Sequence, residues 1–198
     1  MFCVETDYFE TIIEKKNRRI SIFSSQLETL TLDLSKTILG TGGGMAFSLA
    51  DNLEIENLGS NKYSIAKNTI ISKMTEFNEL SLNNEGSKGT MGLHSAALIS
   101  NEQIVAIRQD VGRHNAIDKI CGWMRLNNIR IINPAILITG RISAEMVWKC
   151  LKMNIPMIIS RTSATSKTVE VAREKESTLL GYVLTKRTVI YTRPERVG

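Results

Sequence analysis

Arg113, Arg141 and Arg161 occupy equivalent places in three separate stretches of the chain. These are Asp110-Val111-Gly112-Arg113-His114-Asn115, Gly140-Arg141-Ile142-Ser143 and Arg161-Thr162-Ser163-Ala164-Thr165-Ser166. Each stretch follows a short apolar run and leads into a pattern with helical spacing. Each arginine therefore stands beside helix N-terminal amides that have no acceptor within their own helix. Small hydroxyl or amide side chains surround it. This is chemistry for anions: free N–H groups and the positive end of the helix dipole attract negative charge, and a guanidinium adds a two-pronged donor for phosphate. A charge-assisted hydrogen bond contributes about 1.5–3 kcal/mol, so three such junctions at one edge would hold a phosphorylated ligand tightly. The alternative is purely structural. Ser143, Ser163 and Thr165 would then cap helices, and Asp110, Asp118 or Glu145 would neutralise the arginines.

The two histidines, His94 and His114, fall beside the same stretches. His114 lies four residues before Asp118, a spacing that would let the carboxylate orient its ring across one helical turn. His94 opens a strand in Gly92-Leu93-His94-Ser95-Ala96-Ala97 and reads equally as a structural residue or a ligand contact. Asp110, Asp118 and Glu145 form no recognisable carboxylate pair, and no metal site is expected. The three cysteines, Cys3, Cys121 and Cys150, are scattered and include no Cys-x-x-Cys. Zinc ribbons, thioredoxin-type redox chemistry and a disulfide framework are therefore not expected, and the usage suits a reducing, intracellular setting. Cys121 and Cys150 fall on apolar helix faces and read as core, whereas Cys3 lies in the N-terminal segment.

Positioning the arginines requires a layered sheet. Beyond residue 108 helical and extended patterns alternate: helix 115–127, strand 135–139, helix 143–153, strand 156–160, helix 165–175, then strands 178–184 and 188–192. The runs Ala135-Ile136-Leu137-Ile138 and Met157-Ile158-Ile159 are apolar on both faces, as central strands covered by helices must be. This is an α/β pattern, and open sheets of that kind bind ligands beyond the carboxyl ends of their strands. Upstream, strands over 96–99 and 104–108 are expected to join as a hairpin through Ser100-Asn101-Glu102. The spacing of Ile70, Ile71, Met74, Phe77 and Leu80 predicts a helix with one apolar face, stopped at Asn83-Asn84-Glu85-Gly86. A first hairpin is expected over 11–13 and 19–23. Between it and the helix, residues 24–60 carry Gly40-Thr41-Gly42-Gly43-Gly44 and no clear period.

The composition fits a single domain of 198 residues with a formal charge of +5. Non-specific nucleic-acid binders combine basic blocks with interleaved aromatics. Here aromatics are 6%, and the one tight basic run, Lys15-Lys16-Asn17-Arg18-Arg19, sits at a hairpin tip as solvated charge. An acidic small ligand fits this balance better than a nucleic acid. No apolar run approaches the ~20 residues of a membrane-spanning helix, and the first residues carry an acid early rather than a secretion signal.

The motifs Gly-x-His-Ser-Ala-Ala-Leu, Asp-Val-Gly-Arg-His-Asn-Ala-Ile-Asp-Lys, Gly-Arg-Ile-Ser-Ala-Glu-Met-Val and Ser-Arg-Thr-Ser-Ala-Thr-Ser occur here in that order. They are followed by Tyr191-Thr192-Arg193-Pro194-Glu195-Arg196. Together they resemble the FdhD family of formate dehydrogenase accessory sulfurtransferases, strongly over 90–198 and weakly before. The resemblance implies an α/β three-layer sandwich of the cytidine deaminase-like fold. It implies one domain over 1–198, with a hairpin and Gly-rich region in 1–60 and the core in 61–198, short at the N-terminus for the family. It further implies a cytoplasmic homodimer that binds the molybdenum bis(molybdopterin guanine dinucleotide) cofactor as cargo. Sulfur would come from a cysteine desulfurase, and the cofactor would go to formate dehydrogenase; no nucleic acid, membrane or resident metal is implied. The cofactor-contacting residues would be Arg113, His114, Asn115 and Lys119; Gly140, Arg141 and Ser143; and Arg161, Ser163, Thr165 and Ser166. The last strand would add Thr188, Val189, Ile190, Tyr191, Thr192 and Arg193. Two features depart from the family pattern, the short N-terminus and the persulfide loop. The loop that should carry the persulfide cysteine reads Thr41-Gly42-Gly43-Gly44, with Gly43 where the thiol belongs, and a persulfide needs a thiolate. Cys3 is the remaining candidate for that role. The deaminase motifs His-x-Glu and Pro-Cys-x-x-Cys are also absent, so deamination is not expected.

Overall fold

The computed structural model describes residues 9–14, 19–24, 63–83, 92–184 and 187–198. Cys3 and the Gly40–Gly44 stretch with Gly43 lie outside them. The chain divides into two compact units, Met1–Leu39 and Gly40–Gly198. In the first, β1 (Phe9–Glu14) and β2 (Arg19–Ser24) pair antiparallel from Phe9↔Ser24 to Glu14↔Arg19, which is the expected hairpin.

The second unit is built on a six-stranded mixed sheet in the order β4-β3-β5-β6-β7-β8. Its strands are β3 (His94–Ser100), β4 (Gln103–Asp110), β5 (Ala135–Ile138), β6 (Met157–Ser160), β7 (Thr178–Gly181) and β8 (Val189–Thr192). The β3–β4 hairpin closes through two residues, Asn101 and Glu102, both left-handed at φ 48° and 62°. Such turns match the strand twist, and asparagine tolerates this conformation better than most residues. β3 is antiparallel to both β4 and β5, while β5, β6 and β7 run parallel and β8 returns antiparallel.

Helices cover both faces, giving three layers. On one side α1 (Lys67–Asn83) buries Ile70, Met74 and Phe77 against Ala97, Ile99, Leu137 and Ile159. On the other, α2 (Arg113–Leu126), α3 (Ala144–Lys152) and α4 (Ser166–Glu174) pack on Ala96, Leu98, Ile136, Ile138 and Ile158. The two sets alternate along each strand, the period-two rule of an extended chain. All four residues of β5 and of β6 are buried, as their unbroken apolar runs require.

Three element boundaries differ from the sequence reading, each at a chemically relevant place. β4 runs on to Asp110, and α2 begins at Arg113, so Arg113 and His114 lie in its first turn. β7 stops at Gly181, because Tyr182 turns left-handed at φ 56° and donates its backbone N–H to Thr162 O at 3.0 Å. At the far end, the C-terminal segment docks on the start of α1: Ile65 pairs with Val197, and Lys67 N donates to Gly198 O at 2.6 Å.

Candidate functional site

Strand direction gathers the three arginine stretches. β4 and β5 are both antiparallel to β3 and so run the same way, and β6 is parallel to β5. The carboxyl ends of β4, β5 and β6 therefore share one edge, although β4 is not a neighbour of β5. The intervening β3 runs oppositely, which brings its first residue, His94, to that same edge, in register with Asp110. The loops are tied to one another. Ile142 and Ala164 form a parallel bridge beyond the sheet, with Ile142 N donating to Ser163 O at 3.0 Å. Ser160 Oγ donates to Gly140 O at 2.7 Å. The first loop joins the second through His114 Nε2 and Ser143 Oγ, 2.8 Å apart.

The neighbouring carboxylates are committed elsewhere. Asp110 accepts from Gly112 N at 2.8 Å and Asn115 Nδ2 at 3.0 Å, and pairs with Lys119 Nζ at 2.7 Å. The Lys119 bond, then those from Gly112 and Asn115, hold its carboxyl down at about 2. Asn115 and Lys119 thus spend polar groups on Asp110, and Lys119 also donates to Gln109 O at 2.8 Å. Asp118 pairs with Lys149 at 2.7 Å. Among the described residues no acid pairs with Arg113, Arg141 or Arg161. Arg113 Nε is buried without a hydrogen-bond partner, and Arg141 is exposed. Arg161 Nη1 donates to Asn78 Oδ1 on α1, a neutral partner that leaves the arginine its charge. Of the three hydroxyl residues read as caps, Thr165 accepts from Thr168 N at 3.3 Å. Ser143 makes no side-chain cap.

His114 has partners other than the expected Asp118. The Asp118 carboxylate turns to Lys149, and residues of the next junction take its place: Ser143 Oγ at 2.8 Å and Glu145 Oε2 at 3.7 Å, both on Nε2. A catalytic serine triad would instead have the acid on the other ring nitrogen, so the cluster is a strut between α2 and the α3 loop. Burial, with Arg113 and Lys149 adding to it, pushes the His114 pKa below 6.5, and Glu145 and Asp118 counter only in part. The unfolded chain then binds more protons than the native one as pH falls below 6.5, so stability must drop. Urea unfolding at a series of pH values should show wild type losing stability relative to His114→Gln below pH 6.5. Parallel pH curves for the two proteins would refute the assignment.

The remaining residues implied by the family resemblance divide between two edges. Gly140 sits against His94. Ser163, Thr165 and Ser166 lie in the third junction; Val189 begins β8 on the same edge, and Thr188 immediately precedes it. Ile190 is exposed, and the Tyr191 ring lies over Gly181, where a Cβ would come within 2.8 Å of Tyr191 Cε2. β8 then runs away from the edge at about 3.4 Å per residue. Thr192 Oγ1 donates to buried Ser177 O at 2.7 Å, and Arg193 pairs with Glu176 at 3.2 Å and Glu195 at 2.8 Å. The His94–Gly140 contact was not legible in the sequence, where only the bare glycine ahead of Arg141 hinted at a close approach. Cys150 is fully buried, which drives its pKa well up, and Cys121 packs partly buried on the same cluster. Both are core, as read. Among the described residues no group of His, Cys, Asp and Glu could hold a metal ion, and no helix is long and apolar enough to cross a membrane.

Residues 5–198 match the model of the FdhD/NarQ family. The sulfur carrier protein FdhD of Bacillus subtilis is 30% identical over 168 residues, 83% of this chain and 63% of that protein. The protein of the same name from Sulfolobus acidocaldarius is 39% identical over 110 residues, 54% of this chain and 44% of its own. The chain thus spans less than two thirds of the length of these relatives. A crystal structure described as a formate dehydrogenase accessory protein from Desulfotalea psychrophila superposes with a TM-score of 0.70 at 25% identity, covering 97% of this chain and 72% of that one.

Proposed function

Because the chain belongs to the FdhD/NarQ family, we propose that it binds the molybdenum bis(molybdopterin guanine dinucleotide) cofactor as cargo and supports its sulfuration before delivery to formate dehydrogenase. The guanine-nucleotide phosphates lie against the edge formed by Arg113, Arg141 and Arg161. The observation that carries this reading is that these arginines share one sheet edge while Asp110 and Asp118 are committed to lysines. Their positive charge is therefore available to an anion. The sulfur donor in this reading is a cysteine desulfurase, and the working form is a cytoplasmic homodimer. Kinship with the cytidine deaminase-like fold belongs to the same reading and is supported by a mixed sheet with helices on both faces.

A second reading is favoured by the thiols. Gly43 stands where the family carries its persulfide cysteine, and Cys150 is buried with a raised pKa. A protein so equipped would hold the cofactor without itself carrying sulfur. Incubation with a cysteine desulfurase and cysteine, followed by intact-mass analysis and GDP titration, separates the two. GDP binding with one added sulfur atom on Cys3 or Cys121 establishes the carrier. GDP binding with unmodified thiols leaves the holding role, and failure to bind GDP removes both.

A further inference from the structure

We infer that His94 is a third contact for the oxyanion held by Arg113 and Arg141, a specificity-determining residue of the proposed nucleotide edge. The inference rests on that proposed reading and adds a residue to it. His94 is the first residue of β3, the one strand that enters the sheet from this edge between the carboxyl ends of β4 and β5. Its ring lies directly against Gly140. An ideal Cβ on that glycine would come within 3.0 Å of His94 Nδ1 and 3.2 Å of Cε1, and within 3.4 Å of Arg113 Cβ. The missing side chain of Gly140 is thus the space the imidazole and the Arg113 stem share, immediately before Arg141.

Among the described residues no side chain hydrogen-bonds the His94 ring, whereas His114 is engaged by Ser143 and Glu145. Arg113 Nε is also buried without a partner. A half-buried imidazole without a side-chain partner and a buried, unpartnered Nε on the arginine whose stem shares the Gly140 space leave donor capacity for an acceptor at this edge. The charge around them decides its sign. The Arg113 stem and the ring meet at Gly140, Arg141 follows that glycine in the chain, and the acid opposite the ring in register, Asp110, is committed to Gly112, Asn115 and Lys119. A cation there would face the positive charge of this edge, and the acid in register with the ring, Asp110, is already paired with Lys119. A phosphate oxygen would meet an imidazole N–H and two forks.

The test titrates GDP, inorganic pyrophosphate and guanosine into the wild type, His94→Ala and His94→Asn, with melting curves to confirm folding. His94→Ala should weaken GDP and pyrophosphate about tenfold, the value of one charge-assisted hydrogen bond. Guanosine affinity and the melting temperature should stay unchanged, and His94→Asn, which retains a donor, should recover part of the loss. Gly140→Ala, which displaces the ring, should reproduce the His94→Ala pattern. Unchanged GDP and pyrophosphate affinity in a folded His94→Ala protein would overturn the inference, as would an equal loss for guanosine. Wild type that binds pyrophosphate through His94 but not GDP would remove the nucleotide reading and keep the contact. Wild type that binds neither would remove both.

Discussion

Replacing Arg141 and Arg161 together by alanine is expected to weaken GDP binding by about a hundredfold or more, with little change in thermal stability. Each guanidinium–phosphate hydrogen bond contributes about 1.5–3 kcal/mol, and every 1.4 kcal/mol is about tenfold in affinity. Arg141 has no protein partner to give up, because it pairs with no acid among the described residues, although its exposure leaves it open to screening by salt. Arg161 donates to Asn78 and must share or release that bond, so its single substitution should cost less. The two loops are joined through the Ile142–Ala164 bridge, so the double variant need not equal the sum of the singles. Calorimetric titration at two salt concentrations reads the effect, since a charge-driven site loses affinity as salt rises. Wild-type affinity in the double variant would remove the phosphate edge altogether.

Gly181→Ala should be the most damaging single methyl in the site's scaffold. Its Cβ would lie 2.7 Å from the Thr162 carbonyl oxygen and 2.8 Å from Tyr191 Cε2. One obstacle is backbone and the other a ring held in a strand, so neither can swing aside as a flexible side chain would. Overpacking of this kind costs about 1–3 kcal/mol, and a domain of this size melts about 2–4 °C lower per kcal/mol. The effect should also reach binding. Thr162 follows Arg161 directly, and its carbonyl accepts from Tyr182 N at 3.0 Å, so pushing it outward moves the third junction. Gly181→Ala with Tyr191→Ala relieves only the ring contact and should recover only part of the stability. Denaturant unfolding of both variants measures this, and a Gly181→Ala protein as stable as the wild type would refute the packing account.

Much of the architecture was legible because its signals are local. The run Ala135–Ile138 is apolar throughout and Met157–Ser160 at every position but the last, and the fold buries each on both faces. Ile70, Met74 and Phe77 repeat at helical spacing, and all three are buried. Ser100-Asn101-Glu102 marked the β3–β4 hairpin, and Asn101 supplies one of its two left-handed residues. The candidate site was legible in outline for the same reason, since strand, arginine and helix start are contiguous in the chain.

The partners within the site were not legible, because they come from distant segments. His114 meets Ser143 and Glu145 rather than Asp118, whose carboxylate is paired with Lys149 from α3. The family resemblance names Arg193 as a cofactor contact without giving its place; β8 is antiparallel to β7 and carries it to the opposite edge, to Glu176 and Glu195. A one-dimensional pattern carries the type of an element but not its direction or its neighbour.

The sequence by itself determined an α/β layered core, the places of three arginines ahead of three helices, and the assignment of Cys121 and Cys150 to the interior. Each of these follows from spacing within about a dozen residues, where backbone geometry alone decides which side chains share a face. Only the tertiary structure decided that β3 enters between β4 and β5 and sets His94 against Gly140. It alone decided that Asp110 and Asp118 pair with lysines rather than with the arginines. Those outcomes depend on which strands pair and in which direction, a competition among contacts far apart in the chain that no local pattern encodes.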